Sequence, residues 1–209
     1  LVSCVGSTLK MVATESYRLA VSETELDSPC PEEFEAVIAG SFLQDIASLP
    51  QSEDPVTIAL NDNQIVVTYR DTTFINRRIE GTFPNYKQLI AEGHSTRATL
   101  STHALTDAVR RVSLLSNKVS PVQVRVDAES GVVTLLTNSQ DIGNAQENLI
   151  CEVDGESVDI AFNFTFMLDG LNSIDTDAVH LDLFGPMKPG ILRAAEGENF
   201  LYLIMPVRV

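Results

Sequence analysis

The sequence predicts an α+β protein, on three observations. Short apolar or alternating runs bounded by Gly, Asn, Asp or Pro recur along most of the chain, the pattern of antiparallel strands joined by turns. Three other stretches carry helical spacing behind a capping residue: Ser41-Phe-Leu-Gln-Asp45, Thr102-His-Ala-Leu-Thr-Asp107 and Asn163-Phe-Thr-Phe-Met-Leu-Asp169. These three are evenly spaced, with Asp45, Asp107 and Asp169 at intervals of 62 residues. The repeated unit reads strand, capped helix, three strands. A unit of that size hides one helix face and one sheet face, and needs a twin to close a core. Duplicated units with helices on one side of antiparallel sheets follow.

In chain order, Thr8–Ala13 and Arg18–Val21 read as strands around the polar connection Thr14-Glu-Ser-Tyr17, of hairpin length. Pro29 and Pro31 mark a surface loop over Ser28–Glu33. Phe34–Ala39 alternates as a strand, Ser41 caps a helix over Phe42–Leu49, and Pro50 stops it. Strands follow at Val56–Leu60, Gln64–Tyr69 and Thr72–Ile79. The stretch from Gly81 to His94 has no clear period and reads as a linker between domains.

The pattern restarts with a strand over Arg97–Ser101. Thr102 then caps a longer helix whose Leu105, Val109 and Val112 share one stripe. Val122–Val126, Val132–Leu136, Ala145–Val153 and Val158–Phe162 read as strands, and Asn163 caps a third helix to about Leu171. Val179–Leu183, Ile191–Ala194 and Phe200–Met205 complete the set. The last is an apolar run too short before Pro206 for a helix. Pro206 ends its ladder and leaves Val207 and Val209 beyond the sheet. Exposed apolar residues at a tethered end offer a docking surface; the plainer reading is a tail that closes a sheet edge.

Composition narrows the function. With 44% hydrophobic content the chain can bury a sizeable core, while no apolar run nears the ~18–20 residues a membrane helix needs. Cys4, Cys30 and Cys151 are odd in number and form no CxxC, which argues against a disulfide framework or zinc site and fits a reducing cytoplasm. A net charge of −15 disfavours wrapping of nucleic acid by a basic surface, and with 14 Lys and Arg any basic face is small. The first residue is Leu, and the first unit lacks its opening strand and helix, so a fragment is expected.

Chemistry-bearing clusters are absent from the sequence. His94, His103 and His180 are scattered without Cys or Glu at metal spacing. The repeated Asp residues fall in early helical turns, where a carboxylate stabilises the helix, which outranks acid–base work. No nucleophile elbow, phosphate loop or HExxH occurs. Arg110, Arg111 and Lys118 either form a solvated helix face or meet phosphates without base readout.

Four separated stretches carry a family resemblance: Leu9-Lys-Met-Val-Ala-Thr-Glu-Ser-Tyr-Arg-Leu-Ala-Val21, Gly81-Thr-Phe-Pro-Asn-Tyr86, Ile160-Ala-Phe-Asn163 with Leu168-Asp169, and Phe200-Leu-Tyr-Leu-Ile-Met-Pro-Val-Arg208. Together they resemble the bacterial DNA polymerase III beta subunits, the sliding clamps, over the whole chain. The resemblance implies the DNA-clamp fold, with residues 1–82 a truncated middle domain, 83–95 a linker and 96–209 the C-terminal domain. It implies a non-catalytic, cofactor-free cytoplasmic processivity factor whose homodimer closes around duplex DNA. Linear peptides of the replicative polymerase, clamp loader and repair polymerases would enter a cleft between the middle and C-terminal domains.

Matched motif by motif, that cleft takes Thr14, Tyr17, Arg18 and Leu19 from the hairpin and Pro84, Gln88 and Leu89 from the linker. Asn163, Phe166 and Pro189 join them, with Leu203, Met205, Pro206, Val207 and Arg208 from the tail. Gln88 stands where a basic residue is common in some members, and Phe166 where Tyr is common. Ala39 and Gly40 replace the basic residues that often precede the middle domain's helix, so bore charge would rest on Arg110, Arg111 and Lys118. The alternatives are an acidic scaffold that keeps the peptide cleft without enclosing DNA, and a hydrolase built from scattered carboxylates.

Overall fold

The computed structural model describes residues 1–116, 121–139, 143–197 and 199–208. The chain forms two compact units, one of Leu1–Met11 and Thr24–Asn85, the other of Val12–Glu23 and Tyr86–Val209. Strands β1 (Val2–Val5), β2 (Thr8–Thr14) and β3 (Arg18–Glu25) open the chain, and β2 and β3 carry it from one unit to the other. In the first unit β4 (Phe34–Ala36) precedes helix α1 (Gly40–Ala47), then β5 (Val56–Leu60), β6 (Gln64–Tyr69) and β7 (Thr72–Arg77). Strand β1 pairs antiparallel with both β2 and β4, and β6 with both β5 and β7. Phe42 of α1 closes a small core over Val2, Ala36, Ile38, Ile65 and Val67.

The second unit contains both repeats of the C-terminal half. After a 3-10 turn at Tyr86–Leu89 come β8 (Thr96–Ser101), α2 (Thr102–Ser113), β9 (Val122–Asp127), β10 (Val132–Ser139), β11 (Gly143–Ile150) and β12 (Glu152–Gly155). The second repeat is β13 (Val158–Phe162), α3 (Phe164–Leu171), β14 (Ala178–Leu183), β15 (Gly190–Ala194) and β16 (Asn199–Ile204). One sheet of this unit runs β12-β8-β14-β15-β16-β3 and the other β11-β10-β9-β13, with every registered pair antiparallel. Leu105, Val109 and Val112 of α2 are fully buried, as their shared stripe requires, beside Met167 and Leu171 of α3 and residues of both sheets. Gly170 is required where α3 meets β16, since a Cβ there would lie 2.4 Å from the Tyr202 ring.

Several elements differ from the sequence reading. Val2–Val5 is a strand that was not expected, and the strand expected at Phe34–Ala39 stops at Ala36. The single strand expected over Ala145–Val153 is two strands in different sheets. They part at Cys151, whose N–H donates to the Gly131 carbonyl at 2.9 Å as the last rung of the β10–β11 register, before Glu152 pairs with Thr99 of β8. Of the three expected caps, Asn163 holds the Thr165 and Phe166 amides at 2.8 and 3.4 Å. Ser101, not Thr102, caps α2 by accepting from the Ala104 amide at 3.3 Å. Helix α1 starts at Gly40 behind Ala39 with no side-chain cap, so Ser41 lies inside it. Asp45, Asp107 and Asp169 are each the sixth residue of their helix rather than first-turn residues, and no first turn carries an acid. The repeat therefore holds to the residue while the dipole explanation for it does not.

Candidate peptide-binding site

The site grows from the end of the β16–β3 pair. Leu203 faces Leu19 and Ile204 faces Arg18 across the ladder. Because successive side chains alternate, Leu19 and Leu203 lie on one face of the sheet while Arg18, Ile204 and Tyr202 lie on the other. Past the last pair, the Met205 amide donates to the Tyr17 carbonyl at 2.8 Å, and the Val207 amide donates to the Ala161 carbonyl at 2.8 Å. The tail is thus fixed first to the hairpin turn and then to the edge of β13. Pro206 between them needs no partner because it has no N–H.

On the helix-facing side, Asn163 sets the first turn of α3 and so aims Phe166 at the hairpin. The Phe166 ring stacks with Tyr17, centroids 6.2 Å apart and planes 25° from parallel. The Arg18 guanidinium lies 4.3 Å over the same ring, within cation–π range. Its Nη1 donates to Asp169 at 2.5 Å and to the Tyr202 hydroxyl at 3.3 Å, and its Nε to Glu15 at 3.2 Å. Burial opposes the charge on Arg18, but the bonds to Asp169 and Tyr202 outweigh it and hold its pKa above the ordinary guanidinium value. Burial likewise raises the Tyr202 phenol, with Arg18 working against it, so the phenol stays neutral. Thr14 supports the turn by donating its hydroxyl to the Arg18 carbonyl at 3.2 Å.

On the opposite face lies an apolar pocket of about 90 Å³ lined by Leu89, Ala91, Phe184, Lys188, Pro189, Ile191 and Leu203. Ile191 pairs with Leu203 across β15 and β16, so the pocket floor is sheet and its walls are the 3-10 turn and the Phe184–Pro189 loop. A larger groove of about 240 Å³ lies along β9 and β13 and meets the site at Val207.

The sequence matches the DNA polymerase III beta subunit, C-terminal domain, over residues 87–208, and the central domain of the same subunit over residues 1–85. The chain belongs to the DNA polymerase III beta subunit family. The beta sliding clamp of Synechocystis sp. is 31% identical over 222 residues, covering 98% of this chain and 56% of the relative. That of Staphylococcus aureus is 30% identical, covering 94% and 52%. The chain spans about half the length of these relatives. Among solved structures, the Bacillus subtilis sliding clamp superposes with TM-score 0.94 at 26% identity, covering all of this chain and 56% of that one. A Eubacterium rectale beta subunit gives 0.92 at 28%, again with full coverage here and 56% there. A Pseudomonas aeruginosa sliding clamp with ligand gives 0.92 at 25%, with 57% of its chain covered.

In this beta-subunit chain, the residues marked by family motifs fall into distinct groups. Thr14, Tyr17, Arg18, Asn163 and Phe166 converge at the hairpin lobe, and Leu89, Pro189 and Leu203 line the apolar pocket. Met205 is 40% exposed at the seam, followed by half-buried Pro206 and exposed Val207 and Arg208. Leu19 needs correction: at 1% exposure, packed in register against Leu203, it supports the site from beneath and offers no surface. Gln88 is exposed in the second unit, whereas Pro84, also exposed, belongs to the first.

Sequence reasoning missed Tyr202, Phe184 and Ile191, and read Asp169 only as a helix stabiliser. Alternation along Phe200–Met205 separates Tyr202 from Leu203, but no local signal brings Phe184 or Ile191 to the pocket. Of the expected DNA-facing residues, Arg110 donates to Asn172 at 3.0 Å and to Asp107 at 3.4 Å. Arg111 is held by both oxygens of Glu147, at 2.6 and 2.7 Å. Lys118 lies outside the described residues.

Proposed function

We propose that this chain is the peptide-capturing part of a ring-forming DNA sliding clamp, a non-catalytic, cytoplasmic processivity factor. The observation that carries this reading is the two-lobed end of the β16–β3 pair. A greasy side chain fits a pocket of about 90 Å³ on one face, and a polar one meets the preset Arg18–Phe166–Asp169 lobe on the other. A short linear peptide crossing Met205 can use both lobes. Its affinity is modest because a flexible segment must be ordered on binding. Such exchange suits a hub for the replicative polymerase, clamp loader and repair polymerases.

Ring closure has support from a sheet edge that is unpaired among the described residues. Strand β11 ends its sheet, and Leu114 and Ile150 are 78% and 91% exposed. A sheet edge beside exposed apolar side chains is a surface that a second copy can cover. A second reading, a peptide-binding scaffold that does not enclose DNA, is favoured by Arg111 being neutralised by Glu147 and by the net charge of −15. The full-length protein, loaded on nicked circular or linear plasmid by its loader, separates them. A clamp stays on circles and slides off linear ends, while equal absence from both supports the scaffold. Titration of a partner-derived linear peptide against the protein tests the cleft itself, and absence of saturable binding would remove it.

A further inference from the structure

We propose that Cys4 and Cys30 are a reversible modification site, a thiol pair that closes into an intramolecular disulfide when a peroxide is present. Cys4 sits on β1 at 1% exposure, and Cys30 is half-buried in the connection after β3. Two backbone bonds draw that connection onto the β1–β2 turn, Leu26 N–H to the Ser7 carbonyl and Cys30 N–H to the Gly6 carbonyl, both at 2.8 Å. The Cys4 thiol approaches the same Gly6 carbonyl at 3.9 Å, so Cys4 and the backbone of Cys30 converge on one oxygen. Pro29 and Pro31 restrict the backbone on either side of Cys30, so little freedom is left to lose when the sulfurs join. Closing the pair into an S–S bond of about 2 Å takes side-chain rotation at both residues.

The two thiols have different roles. Burial, then the neighbouring Cys30 thiol, pushes Cys4 up to about 11, so it remains protonated at neutral pH. The half-exposed Cys30 therefore meets the oxidant. Its thiolate attacks one oxygen of hydrogen peroxide; an S–O bond forms, the O–O bond breaks, and hydroxide leaves. The Cys4 sulfur then attacks the Cys30 sulfenic acid; the S–S bond forms, the S–O bond breaks, and the departing hydroxyl takes the Cys4 proton as water. Two thiols are oxidised by two electrons while one peroxide becomes two waters. A dithiol reductant reverses the bond. The covalent loop encloses β2, the Tyr17–Arg18 turn and β3.

The test is mild hydrogen peroxide on the purified protein, followed by non-reducing digestion and mass spectrometry. A peptide linking Cys4 to Cys30 is expected, with Cys151 still free and a rise in melting temperature on the order of 5 °C that dithiothreitol abolishes. Cys4→Ser should leave Cys30 as a sulfenic acid that a dimedone probe traps. Should that variant fail to fold, Cys30→Ser gives a separate test, because Cys4 should then stay reduced. Oxidation of Cys30 without linkage to Cys4 in the native protein overturns the proposal, as does oxidation of Cys4 in Cys30→Ser or no reaction at either residue.

Discussion

The Arg18 guanidinium lies 4.3 Å above the centre of the Phe166 ring while one of its nitrogens donates to Asp169. A flat cation held on a ring face and at its edge is fixed before any ligand arrives, which lowers the ordering cost of binding. Lysine keeps the charge but not the plane. Arg18→Lys should weaken a partner-derived peptide about tenfold, roughly 1.4 kcal/mol, with the melting temperature nearly unchanged. Fluorescence anisotropy measures this, and unchanged affinity would take Arg18 out of the site.

Met205 and Leu19 adjoin the same seam but should respond in opposite ways. Met205 is 40% exposed, so Met205→Ala should reduce peptide affinity while leaving stability within about 0.5 kcal/mol. Leu19 is 1% exposed and packs against Leu203, so Leu19→Ala should cost about 2–4 kcal/mol of folding free energy. Paired urea titrations and peptide titrations separate the effects. A strongly destabilised Met205→Ala would contradict the tail geometry.

Asp182 is fully buried on β14 and receives Arg97 at 2.6 and 2.8 Å and Arg193 at 3.1 Å. Its removal leaves two guanidiniums facing each other across β8, β14 and β15. Each is 29% exposed, so water relieves part of the loss. Asp182→Ala should therefore cost about 2–3 kcal/mol, less than the ~3–5 of a wholly buried pair. Chemical denaturation reads this directly, and a change under 0.5 kcal/mol would show the carboxylate to be dispensable.

His180 supplies a pH dependence. Burial, and then the Arg97 charge, lowers its pKa from the ordinary 6.5, against the attraction of Asp182. Above 6.5 the ring is neutral whether the chain is folded or not, and nothing is lost. As pH falls below that value the unfolded chain takes up the proton first, so stability falls until the folded ring is protonated too. Denaturation midpoints should decline from pH 7 to pH 5, and His180→Gln should flatten that decline. An equal decline in the variant would assign the effect elsewhere.

How far the sequence carries depends on whether a signal is local. The strand Val158–Phe162 and the α3 cap Asn163 are legible because alternation and capping act within a few residues. Two adjacent hydroxyls at Ser101 and Thr102 are not separable that way, since either can cap and only the path of the chain decides. The same holds for Ala145–Val153, where no Gly or Pro marks the change of sheet at Cys151. In the site, Tyr17, Arg18 and Phe166 are marked by motif. The walls from Phe184 and Ile191, and the burial of Leu19, arise only when distant strands meet.

The recurring carboxylate at the sixth helical position shows what duplication leaves open. In α2 it answers His103 and Arg110 from its own helix, at 3.6 and 3.4 Å. In α3 the same slot reaches a guanidinium 151 residues away and joins the lobe proposed to bind peptides. Copying a module preserves the berth and not the tenant, so one repeat could acquire a recognition role without altering the framework shared with its twin.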